Sequence, residues 1–225
     1  MNQEIATELE SVQSPFCRFY VVRHGESKAN LEGYIAGHLD ARLTSVGKQQ
    51  AKERAKDLSE IHFEEAFASD LLRAHQTAKI LSTQHKLIVK TTQAIRERSY
   101  GKYEGTHYEE FNGIMKELLQ EYEGLLEEEQ RKHRLGGEIE SDYEIFQRLA
   151  LFLRELAVTY PGKNILIVCH GGIMREFLIQ IGLGNRQEFG PGAVLNLGYF
   201  VVDSDATEFF LKKTEGIEKG QQRVK

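Results

Sequence analysis

Two histidines stand where apolar, strand-like segments of the chain end. His24 follows the segment 16–22 and Arg23, and His170 follows the segment 164–169; a glycine comes directly after each histidine. A neutral imidazole nitrogen can act as a nucleophile or a base near neutral pH, and glycine lets backbone N–H groups approach a ligand closely. One such turn is a weak signal, whereas two in the same chain indicate a shared chemical site.

An arginine and a glutamate add an anion-binding group and an acid. Arg73 falls in the first turn of a predicted helix, and its planar guanidinium suits bidentate binding of phosphate oxygens. Glu97 lies between Arg96 and Arg98, and a carboxyl group in a partly enclosed pocket can donate a proton. Taken singly, Arg73 reads as a solvated helix residue and Glu97 as a surface ion-pair partner. A role in a chemical site is indicated for Arg73 and Glu97 only when they are considered together with the two histidines.

The elements that would position these groups alternate along the chain. Apolar runs and turn formers predict strands at 16–22, 63–69, 87–91, 164–169, 194–202 and 208–212. Helices are predicted to begin near Thr44 and Asp70, and to cover 108–129, 141–158 and 173–181. The predicted fold class is α/β, a three-layer structure with helices on both faces of a mostly parallel central sheet. That sheet has about six strands, including an antiparallel edge strand. Ligands bind beyond the carboxyl ends of such strands, which is where both histidines fall.

Length and charge distribution predict one domain with flexible ends. With 225 residues the chain is long enough for one well-buried α/β domain and short for two. We predict a flexible N-terminus at 1–15, a single domain at 16–213 and a polar tail at 214–225. The charge-rich segment at about 106–140, called the insertion below, is predicted to form a lid-like addition.

Composition argues against several classes of function. The net charge of −5 disfavours general nucleic-acid binding. No apolar run approaches the roughly 20 residues that span a bilayer, and the polar, acidic residues 1–15 do not read as a signal peptide. We therefore expect a cytoplasmic protein with no membrane partner. Cys17 and Cys169 are expected as reduced thiols, and no Cys/His cluster has zinc spacing, so no metal is predicted.

Several short motifs occur in a fixed order along most of the chain. They are 23–30 (RHGESKAN), 37–40 (GHLD), 43–51 (LTSVGKQQA), 69–78 (SDLLRAHQTA), 97–105 (ERSYGKYEG), 140–141 (ES) with Arg148, and 169–172 (CHGG). In these motifs the chain resembles the histidine phosphatase superfamily, also called the phosphoglycerate mutase-like family. The resemblance covers about 18–202 and implies a phosphoglycerate mutase-like fold.

The resemblance assigns chemical roles to a histidine and a glutamate. His24 would attack phosphorus in line and form a phosphohistidine, which requires an unprotonated attacking nitrogen. Glu97 would protonate the leaving oxygen and then help a water molecule attack the phosphohistidine. No metal and no cofactor are implied, because cationic side chains take the place of a metal.

The phosphate pocket that the resemblance implies is cationic. Arg23, Arg73 and His170 would surround the phosphoryl oxygens and balance the negative charge of the transferring group. Asn30 is implied as a further phosphate contact by its place in the first motif. The predicted site thus consists of the catalytic residues His24, Glu97 and His170 and the phosphate-binding residues Arg23, Arg73 and Asn30.

The resemblance leaves more than one function open. The favoured prediction is a phosphatase acting on phosphate monoesters of small metabolites, because the interval from Glu97 to His170 is short and its insertion is glutamate-rich. A cofactor-dependent phosphoglycerate mutase is the first alternative. A phosphoprotein-docking module without turnover is the second, and the presence of every implied catalytic residue argues against it. The segment 96–105 is also similar to that of sugar-bisphosphate phosphatases in the family. The natural substrate and the oligomeric state stay open.

Overall fold

The computed structural model describes residues 14–219, and that range contains six strands and seven α-helices. The strands are β1 (Cys17–Arg23), β2 (Glu65–Ser69), β3 (Val89–Thr92), β4 (Asn164–Cys169), β5 (Val194–Ser204) and β6 (Phe209–Ile217). The helices are α1 (Lys28–Glu32), α2 (Ser45–Asp57), α3 (Leu72–Ser82), α4 (Tyr108–Leu118), α5 (Glu127–Lys132), α6 (Asp142–Thr159) and α7 (Gly171–Gln180).

The six strands form one sheet in the order β3-β2-β4-β1-β5-β6. β3, β2, β4 and β1 are parallel, β5 runs antiparallel to β1, and β6 runs antiparallel to β5. The predicted fold class, a mostly parallel sheet with an antiparallel edge, is confirmed. The pairing of β1 with β4 ends at Arg23 opposite Cys169. The two histidines that follow these residues therefore leave the sheet side by side.

The two central strands are the most apolar segments of the chain for a physical reason. Ile165, Leu166, Ile167 and Val168 of β4 are fully buried, so neither face of this strand meets water. A central parallel strand with helices on both faces requires such a continuous apolar run. Phe19, Val21 and Val22 of β1 are fully buried as well. The sequence pattern and the position in the sheet therefore agree.

Helices cover both faces of the sheet and bury separate apolar clusters. α6 and α7 pack on one face, where the fully buried Phe177 and Phe200 stack with ring centroids 5.5 Å apart. α2 and α3 pack on the other face through small residues such as Ala51, Ala74 and Ala78, which allow close approach to the sheet. The three-layer arrangement is thereby complete.

Side-chain caps fix where the longer helices begin. Thr44 Oγ1 accepts a hydrogen bond from Gly47 N (2.9 Å) before α2, as the sequence predicts. Ser141 and Glu144 form a reciprocal capping box before α6, in which Glu144 Oε2 accepts from Ser141 N (2.9 Å). α6 follows the segment that carries Glu140, and this junction matters for the site.

The predicted single helix at 108–129 is wrong. α4 ends at Leu118, a 3₁₀ turn covers Leu119–Tyr122, and α5 begins only at Glu127. Glu123 is extended and Gly124 adopts φ 80°, a left-handed conformation that glycine accepts readily and that ends the helical run. The insertion is instead compact: Phe111, Leu135 and Ile139 form a small buried cluster against the aromatic residues of 100–103.

Other element boundaries differ by a few residues. α7 begins at Gly171 rather than at 173, and β6 continues to Ile217, so the predicted domain end at 213 lies inside a strand. Residues 1–13 and 220–225 lie outside the described residues, and with them most of the predicted flexible N-terminus and half of the predicted tail. Within 14–219, each helix is too short or too polar to cross a membrane.

Candidate active site

His24 is held in one tautomer by its own turn. It follows β1, is 3% exposed, and its Nδ1 lies 2.7 Å from the carbonyl oxygen of Gly25. Because a carbonyl oxygen only accepts, Nδ1 carries the proton and the lone pair of the neutral ring lies on Nε2. Burial, followed by the charges of Arg73 and Arg23, holds the pKa of His24 well below its usual value. The ring is therefore neutral near pH 7 and carries a nucleophilic nitrogen.

Side chains from two other elements fix the peptide group between His24 and Gly25. Gly25 N donates to Thr77 Oγ1 on α3 (3.1 Å), and Asn196 Nδ2 on β5 donates to the carbonyl oxygen of His24 (3.0 Å). The Thr77 hydroxyl donates in turn to the carbonyl oxygen of Arg73 (2.8 Å). Thr77 belongs to the 69–78 motif that carries Arg73, but the sequence pattern does not predict these contacts of Thr77 and Asn196.

The sheet is irregular where β5 reaches this turn. The pairing of β5 with β6 shifts between Val194 and Tyr199, and Leu197 adopts φ 57°, a left-handed conformation uncommon outside glycine. A Cβ at position 25 would lie 2.5 Å from the carbonyl oxygen of Gly47 and 3.1 Å from Leu197 Cδ2. The turn after His24 therefore has room only for glycine.

His170 faces His24 and has no partner of its own. The two ring centroids are 5.2 Å apart with an interplanar angle of 64°. His170 is fully buried, and neither ring nitrogen has a hydrogen-bond partner among residues 14–219. Burial, followed by the charge of Arg73, holds the pKa of His170 well below its usual value. Leaving a buried donor or acceptor unpaired is costly, so His170 is a candidate to bind a ligand.

Two arginines lie beside the histidines: Arg73 is buried and Arg23 is half-buried. Arg23 Nη1 donates to the carbonyl oxygen of Val194 (2.6 Å), while its buried Nε has no partner within the described part of the chain. Arg73 is 2% exposed and donates to the carbonyl oxygens of Leu39 (2.8 Å) and Gly37 (2.7 Å). Burial lowers the pKa of both guanidinium groups, but an arginine keeps its charge in a protein. The 37–40 motif thus supplies the carbonyl groups that aim Arg73.

Glu97 reaches the N-terminus of α7 beside the histidines. Its carboxylate accepts hydrogen bonds from Gly172 N (2.9 Å), Ile173 N (3.1 Å) and Arg98 N (2.8 Å). A Cβ at position 172 would lie 2.4 Å from Glu97 Oε1. The second glycine after His170 therefore makes room for the carboxylate. This cap also explains why α7 begins before 173, because it satisfies the first N–H groups of the helix.

The side chain of Asn30 caps α1. Asn30 Oδ1 accepts from Ser27 N (3.1 Å) while Asn30 N donates to Ser27 Oγ (3.4 Å), which forms the capping box of α1, and Oδ1 also accepts from Ser27 Oγ (3.0 Å). Its Nδ2 is the side-chain donor that this box does not use. A phosphate contact from Asn30 therefore stays a prediction, whereas His24, His170, Arg23, Arg73 and Glu97 are brought together.

Potential metal ligands do not cluster in the described part of the chain. Residues 14–219 contain no group of three or more His, Cys, Asp or Glu side chains arranged to hold a metal ion. A cavity of about 390 Å³ borders the segment that carries Glu97, and Arg96, Arg134 and Arg148 are among the residues that line it. Each of these guanidinium groups is already paired with a carboxylate.

Fold and site together define an α/β protein in which two histidines, two arginines and a glutamate meet at the carboxyl ends of the central strands. The profile of the histidine phosphatase superfamily (branch 1) matches residues 19–215, and the chain belongs to this superfamily. It is 33% identical over 172 residues to phosphoglycerate mutase-like protein 4 of Arabidopsis thaliana, covering 76% of this chain and 73% of that protein. It is 30% identical over 193 residues to the metal-independent phosphoserine phosphatase of the same plant, covering 85% and 78%.

A solved structure extends the likeness to the whole fold. Phosphoglycerate mutase from Bacillus anthracis superposes with a TM-score of 0.75 at 21% identity, covering 91% of this chain and 95% of that structure. At this identity the superposition concerns the fold alone. The relatives include proteins named as phosphatases and as mutases, so the reaction has to be argued from the site.

Proposed function

We propose that this chain is a phosphatase that hydrolyses phosphate monoesters through a phosphohistidine on His24. The observation that carries the proposal is the hydrogen bond from His24 Nδ1 to Gly25, because it directs the lone pair of Nε2 into the cationic pocket. In the first step Nε2 bonds to phosphorus as the ester P–O bond breaks. In the second step a water oxygen bonds to phosphorus and the N–P bond breaks, which releases inorganic phosphate.

The site supplies positive charge and hydrogen-bond donors for the negative charge of the transferring phosphoryl group. Arg73 is buried and Arg23 is half-buried, and the Nε of Arg23 has no hydrogen-bond partner in the described chain. We assign a phosphoryl oxygen to this N–H group. His170 presents two ring nitrogens without partners in the described chain. In a site from which water is excluded such groups act strongly and need little reorganisation during the reaction. This arrangement supports metal-independent chemistry, because side chains do the work of a divalent cation.

Glu97 is the acid and base of the proposal. A protonated Glu97 would give its proton to the leaving oxygen, and the resulting carboxylate would take one from the attacking water. Glu97 lies close enough to Arg23 and Arg73 for its negative charge to raise the pKa of both arginines. This effect partly offsets the lowering of those pKa values by burial. Glu97 therefore stands within electrostatic reach of the proposed phosphoryl position.

The proposed substrates are small phosphorylated metabolites with a further anionic group. Arg175 lies on α7 one turn after Gly171 and Gly172, so it shares the helix face that borders Arg23 and Glu97. Its Nε is buried without a partner in the described chain. Burial and then the charge of Arg98 lower the pKa of Arg175. A carboxylate or second phosphate on the leaving group would pair with it.

The proposed location is the cytoplasm. Cys17 and Cys169 are free thiols buried in β1 and β4. Burial raises the pKa of Cys17 to about 12 and also raises that of Cys169, so both thiols are protonated and unreactive. Unpaired cysteines of this kind are typical of a reducing compartment.

A phosphoglycerate mutase is the second candidate, and the relative that is 33% identical, named as mutase-like, favours it. A mutase and a phosphatase share the first chemical step and differ in the acceptor, which is a hydroxyl of the substrate or water. The 30% identical relative that is named as a metal-independent phosphoserine phosphatase supports water as the acceptor.

The test is turnover of p-nitrophenyl phosphate and of a panel of sugar, glycerate and amino-acid phosphates after treatment with EDTA. The proposal predicts phosphate release by the wild type that survives EDTA and is lost in His24→Ala. Exchange of phosphate between positions of phosphoglycerate without release would select the mutase. Loss of activity with EDTA, restored by a divalent cation, would overturn metal independence.

A further inference from the structure

Arg148 on α6 donates hydrogen bonds to the backbone of the segment that carries Glu97. The inference drawn from this contact rests on the proposed function of Glu97 as the acid. We propose that Arg148, held by Glu140, is a positioning residue for the Glu97 carboxyl group. Neither residue lies among the groups that would touch the phosphoryl group or the leaving oxygen. Their effect on the reaction would therefore be transmitted through the segment 94–99.

One edge of the Arg148 guanidinium is fixed by a carboxylate. Nε lies 2.6 Å from Glu140 Oε1 and Nη2 lies 2.9 Å from Glu140 Oε2, which is a bidentate ion pair. The Glu140 side chain is 11% exposed and that of Arg148 is 26% exposed, so water screens this pair less than a surface pair. The Arg148 guanidinium group is therefore held in one orientation, with its remaining N–H groups pointing in a fixed direction.

The remaining N–H groups of Arg148 donate to three backbone carbonyl groups of the segment that carries Glu97. Nη1 donates to the carbonyl oxygens of Ala94 (2.7 Å) and Arg96 (3.2 Å), and Nη2 donates to those of Arg96 (3.2 Å) and Glu97 (3.3 Å). His38 Nε2 lies 2.8 Å from the same Glu97 carbonyl oxygen. The backbone carbonyl of the proposed acid is thus held from two sides.

Glu140 holds the residues after Glu97 as well. Its Oε2 accepts from Ser99 N (3.1 Å), and its backbone N donates to the Ser99 carbonyl oxygen (2.9 Å). Its own carbonyl oxygen accepts from Arg98 Nη1 (2.8 Å). The ion pair between Arg148 and Glu140 therefore holds the chain on both sides of Glu97. Arg148 binds the backbone before Glu97, and Glu140 binds residues after it.

The consequence for the reaction is specific to the leaving group. A misplacement of about 1 Å can cost a catalytic group most of its effect, and a general acid contributes about 10²–10⁴-fold when the leaving oxygen needs a proton. p-Nitrophenolate leaves without that proton, whereas an alkoxide does not. A loosened Glu97 would therefore slow the hydrolysis of alkyl phosphates far more than that of p-nitrophenyl phosphate.

The experiment compares Arg148→Met and Glu140→Gln with Arg148→Lys as the conservative variant. Arg134→Met is the matched control, because Arg134 also pairs with a glutamate of α6, Glu144, but makes no hydrogen bond to 94–99. For each variant kcat/KM is measured on p-nitrophenyl phosphate and on glycerol phosphate, with thermal unfolding as the check on folding. Glu97→Gln gives the change in the ratio of the two kcat/KM values that is expected when the proposed acid is lost.

We expect Arg148→Met to lower the glycerol phosphate value about tenfold or more relative to that for p-nitrophenyl phosphate. Glu140→Gln should shift the ratio in the same direction, Arg148→Lys should recover part of it, and Arg134→Met should leave it unchanged. An equal loss on both substrates, or no loss in folded protein, would overturn the inference while Glu97 stands as the acid. If Glu97→Gln itself leaves the ratio unchanged, the acid assignment in the proposed function fails first.

Discussion

Thr77 Oγ1 accepts a hydrogen bond from Gly25 N (3.1 Å). This bond connects α3, the helix that carries Arg73, to the turn that follows His24. Because the hydroxyl also donates to the Arg73 carbonyl oxygen, one buried side chain sets the spacing between His24 and Arg73. Replacing Thr77 with valine keeps the shape and leaves the Gly25 N–H and the Arg73 carbonyl without this partner.

We expect Thr77→Val to lower the free energy of unfolding by about 1–3 kcal/mol, the cost of a buried unsatisfied group. It should also lower kcat about tenfold or more, because the turn that holds the His24 tautomer loses a support. Urea denaturation and steady-state kinetics measure both. Thr77→Ser, which keeps the hydroxyl, is the matched control; an equal kcat in the two variants would refute the role given to this hydrogen bond.

Gly172 gives a prediction about the acid alone. A Cβ at this position would meet Glu97 Oε1 at 2.4 Å, so Gly172→Ala should push the carboxylate from the N-terminus of α7. Hydrolysis of alkyl phosphates should fall more than that of p-nitrophenyl phosphate. Gly113→Ala in α4 is the control, because nothing lies within 4 Å of its Cβ. That change should preserve activity and add up to about 1 kcal/mol of stability through helix propensity.

The two neutral histidines predict how stability depends on pH. The folded-state pKa values of His24 and His170 lie well below the usual histidine value of about 6.5, so below about pH 6.5 the unfolded chain binds more protons than the folded one. Stability must therefore fall as pH is lowered from 7.5 to 5.5, by up to about 1.4 kcal/mol per pH unit for each histidine.

Urea denaturation at several pH values measures this slope. The double variant His24→Asn/His170→Asn should flatten it, leaving a smaller slope from His75 and His85, whose pKa values burial also lowers. A slope as steep in the double variant as in the wild type would show that the buried pair is not its source.

Arg175 predicts which substrates are preferred. Its unpaired Nε would favour monoesters that carry a second anionic group, so Arg175→Ala should raise KM for phosphoserine or a sugar bisphosphate. Loss of a charge-assisted hydrogen bond corresponds to about 1.5–3 kcal/mol, or roughly tenfold to a hundredfold. KM for p-nitrophenyl phosphate should change little. A parallel rise for both kinds of substrate would mean that Arg175 supports the pocket rather than selecting the leaving group.

Sequence predicts this fold well where the pattern is local. The unalternating run of β4 and the histidines that end β1 and β4 mark the sheet and the site without further information. Thr77 and Arg148 lie within the motifs, but their contacts and that of Asn196 are not predicted, because the partners are distant in sequence. Such contacts depend on register and crossing angles that no local pattern encodes. The break at Gly124 was missed because a solvated, glutamate-rich segment reads as one helix until a left-handed residue ends it.

The central claim is a covalent phosphohistidine on His24, and trapping that intermediate tests it most directly. The enzyme is mixed with ³²P-labelled phosphate ester, quenched in alkali within milliseconds, and mapped by peptide analysis. The proposed mechanism predicts label on the peptide that holds His24, at no more than one phosphoryl group per chain, which water then converts to inorganic phosphate. His24→Ala should carry no label while keeping its fold. Turnover without any labelled histidine, or label on another residue, would contradict the proposed mechanism.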